Sequence, residues 1–215
     1  MGTTSSELWT IGHWTCPKEV VLDTLASADI ETVVDVRKMP GSRRSPQFDA
    51  DAMPSWLDSA GIGYRHFEKL GGRRPRQRDI DPAINAGWQN ASFKNYADYT
   101  LTGEFEDGLA ELTALASAQR VAILCGEPMP WRCHRSLIAN TLTARGWTVV
   151  HLMNGAKPRL HELGLWGAKP TVGPEGVVTY PAADPEPGRS PGPGRRSTGT
   201  TTSLRRRNGR VQGGS

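Results

Sequence analysis

Reactive side chains concentrate in one eleven-residue segment, Cys125-Gly126-Glu127-Pro128-Met129-Pro130-Trp131-Arg132-Cys133-His134-Arg135, which follows an apolar run and leads into helical sequence. Thiols and cations between a strand end and a helix start sit where backbone amides and the helix dipole favour an anion. The same field lowers a thiol pKa, and the thiolate is the nucleophile. Cys133 beside His134, or Cys125 at the strand end, is therefore a candidate nucleophile, with Arg135 as an anion ligand. Each cysteine alone also reads as a small buried apolar residue. Glu127 offers a different chemistry: a carboxylate near an anion site acts as a general base or stabilises a cation forming at a sugar carbon, with Asp35 as its partner. Asp35 reads equally well as a structural partner of Arg37. His13, Cys125, Cys133 and His134 are metal-ligand types, but the seven residues between the cysteines fit no common zinc spacing, so no metal is expected. Cys16 has no partner in sequence and reads as structural.

A second cluster is basic. Arg37, Lys38, Arg43 and Arg44 follow one apolar run, and Arg65, Lys69, Arg73, Arg74, Arg76 and Arg78 surround another. Guanidinium forks suit phosphate, which makes a phosphorylated small molecule or a nucleic-acid backbone the favoured partner. Trp14, Phe48, Trp88, Phe93, Tyr96 and Trp131 lie in or near the same loops and can stack on a base, although core packing accounts for aromatics as well.

The elements that must position these residues are legible as short apolar runs alternating with stretches of helical period, the pattern of a mainly parallel sheet covered by helices. Five strands are expected, at 8–12, 32–36, 63–67, 120–124 and 148–152. Helical sequence lies between them, the first helix opened by Thr15 as its cap and the second stopped by Gly61. Ligands of such sheets bind beyond the carboxyl ends of the strands. Those ends carry His13, then Asp35 and Arg37, then His66 and Glu68, then Cys125 and Glu127, then His151, so every strand delivers an ionisable or thiol group to one edge.

The chain has 215 residues, 37% of them hydrophobic, with 26 basic against 22 acidic side chains. Seven of the arginines fall after residue 180 against Asp184 and Glu186, so the excess charge belongs to the end of the chain. Residues 1–170 read as one α/β domain and 171–215 as a disordered tail rich in Pro, Gly and Arg, too poor in apolar surface to offset its ordering entropy. Arg205-Arg206-Arg207 can touch nucleic-acid phosphates. No apolar run is long enough to span a membrane and the first residues lack a secretory layout, so a cytoplasmic protein with no membrane partner is expected. Three cysteines exclude a disulfide framework. The sequence identifies neither a cofactor nor an oligomeric state.

Several motifs occur together in order: Gly12-His13-Trp14-Thr15, Val34-Asp35-Val36-Arg37 with Pro40, Ser42, Arg43 and Phe48, Leu70-Gly71-Gly72, Phe93 with Tyr96, and Leu124-Cys125 with Glu127 followed by Cys133-His134-Arg135. Over roughly residues 8–153 they resemble the bacterial domain of unknown function 488 family, which usually has Ser in place of Trp14 and Ala or similar in place of Gly126. The resemblance implies an α/β fold and a common site at these positions. Taken with the chemistry of the residues themselves, the candidates for catalysis are Asp35, Cys125, Glu127, Cys133 and His134, and those for substrate binding are His13, Arg37, Ser42, Arg43, Gly71, Gly72, Arg73, Tyr96 and Arg135. The resemblance brings no activity with it. The leading reading is an enzyme acting on a phosphate-bearing substrate such as a nucleotide or nucleic acid; the alternative is a non-catalytic nucleic-acid-binding module. A fainter likeness, to rhodanese and the cysteine phosphatases, implies Cys125 as a nucleophile. Arg132, however, follows Cys125 one residue later than in that pattern, and Pro128 and Pro130 have no amide hydrogen to give an anion.

Overall fold

A computed structural model describes residues 6–41 and 43–183. Six strands form one sheet: β1 (Glu7–Gly12), β2 (Thr32–Asp35), β3 (Gly63–His66), β4 (Val121–Cys125), β5 (Thr148–Met153) and β6 (Ala156–Leu160), in the order β3-β2-β4-β1-β5-β6. The first five are parallel and β6 pairs antiparallel with β5. The five parallel strands match the sequence reading to within a residue or two. The sixth is new: its residues are all exposed and include Lys157 and Arg159, so it carries no apolar alternation to betray it.

Five helices cover the sheet: α1 (Lys18–Ala26), α2 (Met53–Asp58), α3 (Ala91–Tyr99), α4 (Gly103–Ala118) and α5 (Arg135–Ala144). Val21 and Leu25 of α1 and Met53 and Leu57 of α2 pack with Ile11, Val33 and Leu124 on one face. Tyr96, Leu109, Leu112, Ile138 and Leu142 of α3, α4 and α5 pack with Val34, Val36, Val121 and Ile123 on the other. Pro17, not Thr15, immediately precedes α1, and no side chain caps that helix. Gly61 takes φ +73° beyond α2, as a left-handed stop requires.

This topology places the site. From β2 the chain leaves through α2 towards β3, and from β4 it leaves through α5 towards β5, in opposite directions and over opposite faces. β2 and β4 are neighbours, so the loops at their carboxyl ends part and leave a crevice between them.

The folded domain continues past residue 170. A small hairpin, β7 (Thr171–Val172) with β8 (Val178–Thr179), follows, and Val178 and Tyr180 are buried in the core with α5. The Pro and Gly content that suggested a tail from 171 hides two buried side chains. The Tyr180 amide donates to Asn85 Oδ1 and its hydroxyl accepts from Asn140 Nδ2. The rest of the expected tail, including Arg205–Arg207, lies outside the described residues. Among the described residues, no helix is long and apolar enough to cross a membrane.

Tyr180→Ala should cost about 3–5 kcal/mol of stability through the cavity it leaves, and Tyr180→Phe about 1 kcal/mol through the lost hydrogen bond. Equilibrium urea unfolding of the two variants measures both; equal stabilities for Tyr180→Ala and the parent chain would contradict this account of the segment.

Candidate functional site

A cavity of about 630 Å³ opens at the carboxyl edge between the loops that follow β1, β2, β3 and β4. Of the residues singled out from the sequence, His13, Arg37, Gly72, Arg73, Tyr96, Cys125, Glu127, Cys133 and His134 line it. Asp35 lies fully buried beneath it. Arg135 is buried behind Cys133, Gly71 packs its backbone against Lys38, and exposed Arg43 is outside the lining. Ser42 falls outside the described residues. Lys38 and Arg44 of the basic cluster, Phe93 of the aromatic motif and Arg132 of the Cys125–Arg135 segment also line the wall.

The left wall is built on Asp35. Its Oδ1 accepts from the Arg37 amide at 3.0 Å and from Arg37 Nε at 2.9 Å. Its Oδ2 accepts from Arg37 Nη2 at 2.5 Å and from the Tyr64 hydroxyl at 3.0 Å. Burial and the Asp35 carboxylate push the Tyr64 pKa up, so it stays a donor. Arg37 also donates to the Phe48 carbonyl, pinning the loop after β2, and its Nη1 lies 3.2 Å from His13 Nε2. His13 stacks on Phe48, ring centroids 4.1 Å apart, and its Nδ1 meets the Trp14 carbonyl at 2.6 Å. With a guanidinium at Nε2 and a carbonyl at Nδ1, the ring is neutral with its proton on Nδ1.

The floor is made by Cys125, Cys133 and His134. The 3-10 turn Pro130–Arg132 folds the chain back between strand and helix, so that the three ligand-type atoms lie within 4.8 Å of one another. His134 Nδ1 is 3.5 Å from Cys133 Sγ and 4.0 Å from Cys125 Sγ, while its Nε2 donates to the Val36 carbonyl at 2.9 Å. Gly72 fits over the ring: a Cβ there would stand 2.8 Å from Nδ1 and 3.1 Å from both Cγ and Cε1. Arg135 Nε donates to Cys133 Sγ at 3.4 Å. The hydrogen bond to Cys133, then burial, holds the Cys125 thiol well above its ordinary pKa. Burial pushes Cys133 up, but the hydrogen bond from Cys125 and the charges of Arg135 and His134 outweigh it and hold this thiol well below. Cys133 is thus the acidic partner of the pair. Cys16 lies apart, half-buried beside Asn154.

Behind the floor runs a buried polar chain that sequence reading missed, apart from His151 at a strand end. Asn140 Oδ1 accepts from His161 Nε2 at 2.9 Å, because its amide nitrogen donates to Tyr180. His161 Nδ1 must then accept from His151 Nε2, at 2.9 Å. His151 Nδ1 accepts from the Thr10 hydroxyl at 2.7 Å, and Thr10 Oγ1 accepts from Arg135 Nη1 at 3.2 Å. Every proton on this path has one assignment, with both histidines neutral. The available signal was a threonine and a histidine inside two otherwise apolar strands.

One family model, described as domain of unknown function DUF488, matches residues 17–142. The match contains Asp35 through Arg135, and it confirms the resemblance carried by the motifs. No curated protein and no solved structure matches the chain.

Burial brings His151 down to about 3 and His161 to about 4, and burial with the charge of Arg37 brings His13 to about 4, against 6.5 for a free ring. The fold favours their neutral forms. Their contribution is complete above pH 6.5 and is lost as pH falls towards 4, at about 1.4 kcal/mol per pH unit for each ring. His161→Gln should therefore flatten the acid limb of a stability-against-pH curve by about that slope between roughly pH 6 and 4.5. An unchanged limb would remove this histidine as its cause.

Proposed function

The chain belongs to the domain of unknown function DUF488 family, and from that footing we propose that it is an enzyme acting on a phosphate-bearing substrate, a nucleotide or nucleic acid being the class its cavity suits best. The observation that carries this reading is the charge of the lining. Arg37, Lys38, Arg44, Arg73 and Arg132 converge on one cavity in which Glu127 is the single carboxylate among the lining residues. Arg37 is neutralised by Asp35, and Lys38 pairs with Glu68 at 2.6 Å. Arg73 and Arg132 form no ion pair with any described residue and are exposed at the cavity wall. Two such guanidinium groups suit the oxygens of a phosphate.

Roles then follow from position. Arg73 and Arg132 hold the phosphate, with Lys38 beside them. Glu127, whose Oε1 accepts a long bond of 3.3 Å from the Met129 amide, is the lining carboxylate able to move a proton. The Cys125, Cys133 and His134 floor faces the reacting atom. Asp35, with both oxygens taken by Arg37 and Tyr64, is a positioning residue in this reading. Trp14 supports a nucleotide in particular: it lines the cavity, is 54% exposed, and holds a left-handed φ of +48° that a non-glycine residue adopts at a cost. A strained, solvent-facing indole at the mouth of a cationic cavity is a stacking surface for a base.

Titrating the full chain with a nucleoside monophosphate and a single-stranded oligonucleotide tests this. Arg73→Ala and Arg132→Ala should each weaken binding about tenfold, the loss of one charge-assisted hydrogen bond, and leave the far-ultraviolet circular dichroism unchanged. If neither probe binds, or the double variant binds as the parent chain does, the reading is wrong. A logarithmic salt slope of about 0.7 per contacted phosphate with the oligonucleotide, and no turnover, would shift the balance to a binding module.

A further inference from the structure

We infer that Cys125, Cys133 and His134 form a three-ligand site for a zinc-class divalent ion, with its fourth position open to the cavity. A tetrahedral ion with bonds of about 2.3 Å to sulfur and about 2.0–2.1 Å to nitrogen spaces its ligand atoms roughly 3.5 Å apart for sulfur to nitrogen and roughly 3.8 Å for sulfur to sulfur. The two sulfur–nitrogen edges of this cluster are 3.5 and 4.0 Å, and all three atoms lie within 4.8 Å of one another. The two sulfur–nitrogen edges therefore need shifts of only tenths of an ångström to close on an ion, and the sulfur–sulfur edge, no longer than 4.8 Å, a shift of about 1 Å at most.

The surroundings have the form that metal sites need beyond their ligands. A ligating imidazole is held by a hydrogen bond from its other nitrogen, commonly to a backbone carbonyl. His134 Nε2 donates to the Val36 carbonyl at 2.9 Å, so Nδ1 alone is left to address the sulfurs. Gly72 over the imidazole and Tyr96, whose ring centroid lies 4.9 Å from it, fix the plane of the ring. The Arg135 Nε–H that meets Cys133 Sγ at 3.4 Å is an outer donor to a thiolate ligand.

Two thiolates, one imidazole and three protein ligands in all make the ligand set of an open, catalytic type of zinc site, not a closed structural one. The charges agree with that. Two thiolates cancel a dication, which leaves the buried Arg135 guanidinium balanced when the fourth ligand is an anion. Such a ligand is a phosphate oxygen or a hydroxide, and the ion would act on it as a Lewis acid. The ligand geometry stands without the phosphate reading; only the identity of the fourth ligand rests on it.

The test is metal uptake by the full chain, reduced and folded. After exposure to zinc and desalting, elemental analysis should find about one zinc per chain. Cobalt(II) in its place should give thiolate-to-cobalt charge-transfer absorption, weakened in Cys125→Ser and lost together with the metal in Cys133→Ser. Cys16→Ser, outside the cluster, should retain both. Should a variant fail to fold, the parent chain still decides: zinc should protect Cys125 and Cys133, but not Cys16, from alkylation mapped by mass spectrometry. A chain that takes up neither ion, or whose bound zinc leaves Cys125 and Cys133 as reactive as before, overturns the inference. Nucleoside monophosphate binding measured with and without zinc separates the two readings. A bound ion with no phosphate affinity refutes the phosphate reading alone, and phosphate affinity in a chain that takes up no ion refutes the metal site alone.

Discussion

The arrangement of the site depends on one buried cation. Arg135 is 1% exposed and has no carboxylate partner among the described residues; it donates to Thr10 Oγ1, to the Glu127 carbonyl and to Cys133 Sγ. A guanidinium taken out of water is costly unless an opposite charge accompanies it. Among the described residues, the ionisable group it hydrogen-bonds is the Cys133 sulfur, so the fold favours negative charge there. The other two contacts hold Arg135 in place. One fixes the loop after β4 by the carbonyl of Glu127. The other leads through Thr10, His151, His161 and Asn140 to Tyr180, so a residue 45 positions further along the chain helps set the angle from which a cation meets the thiol.

Arg37 is the instructive contrast. It too is nearly buried, but Asp35 meets it along a bidentate edge, and Tyr64 fills the remaining lone pair of the carboxylate. Removing one partner of such a pair strands a buried charge, at a cost of about 3–5 kcal/mol. The pair therefore serves as a fixed corner, from which Phe48, His13 and the loop after β2 take their positions. Two buried arginines thus do different work. The one already neutralised builds a wall, and the one without a carboxylate among the described residues favours negative charge on a sulfur at the cavity floor.

Much of this was readable from the chain because β1, β2, β4 and β5 carry short apolar runs, as strands covered on both faces must; β3, at the sheet edge with Arg65 and His66 exposed, carries none. Once they are placed, the carboxyl-edge rule brings His13, Arg37, Cys125 and Glu127 to one side without any knowledge of strand order. Order was not readable, and it matters: β4 inserts between β1 and β2, which puts the Cys125 loop next to the Arg37 loop instead of at a distant edge. The exposed sixth strand and the short hairpin carrying Val178 and Tyr180 were hidden for a common reason. Their charged, Pro- and Gly-rich sequences give no periodicity, and their order comes from pairing and burial against elements already formed. Asp35 was legible as a candidate for either of two roles, and only the positions of Arg37 and Tyr64 separate them.

The cysteine spacing does not report the distance between the sulfurs, for a physical reason. Familiar zinc spacings describe ligands brought together by one tight local turn, where the number of intervening residues sets the distance. Here the ligands come from a strand end and a helix start, and the seven residues between the cysteines are folded back by a turn opening at Pro130, with the Arg132 and Cys133 amides bonded to the Met129 and Pro130 carbonyls. The prolines that deny this loop an amide cradle for an anion are the same residues that stiffen the turn. A loop of this kind is poor at binding phosphate with its backbone and good at holding two sulfurs beside an imidazole. The cavity accordingly has arginine side chains of the neighbouring loops on its wall and two sulfurs beside an imidazole on its floor, an arrangement to which the two prolines contribute.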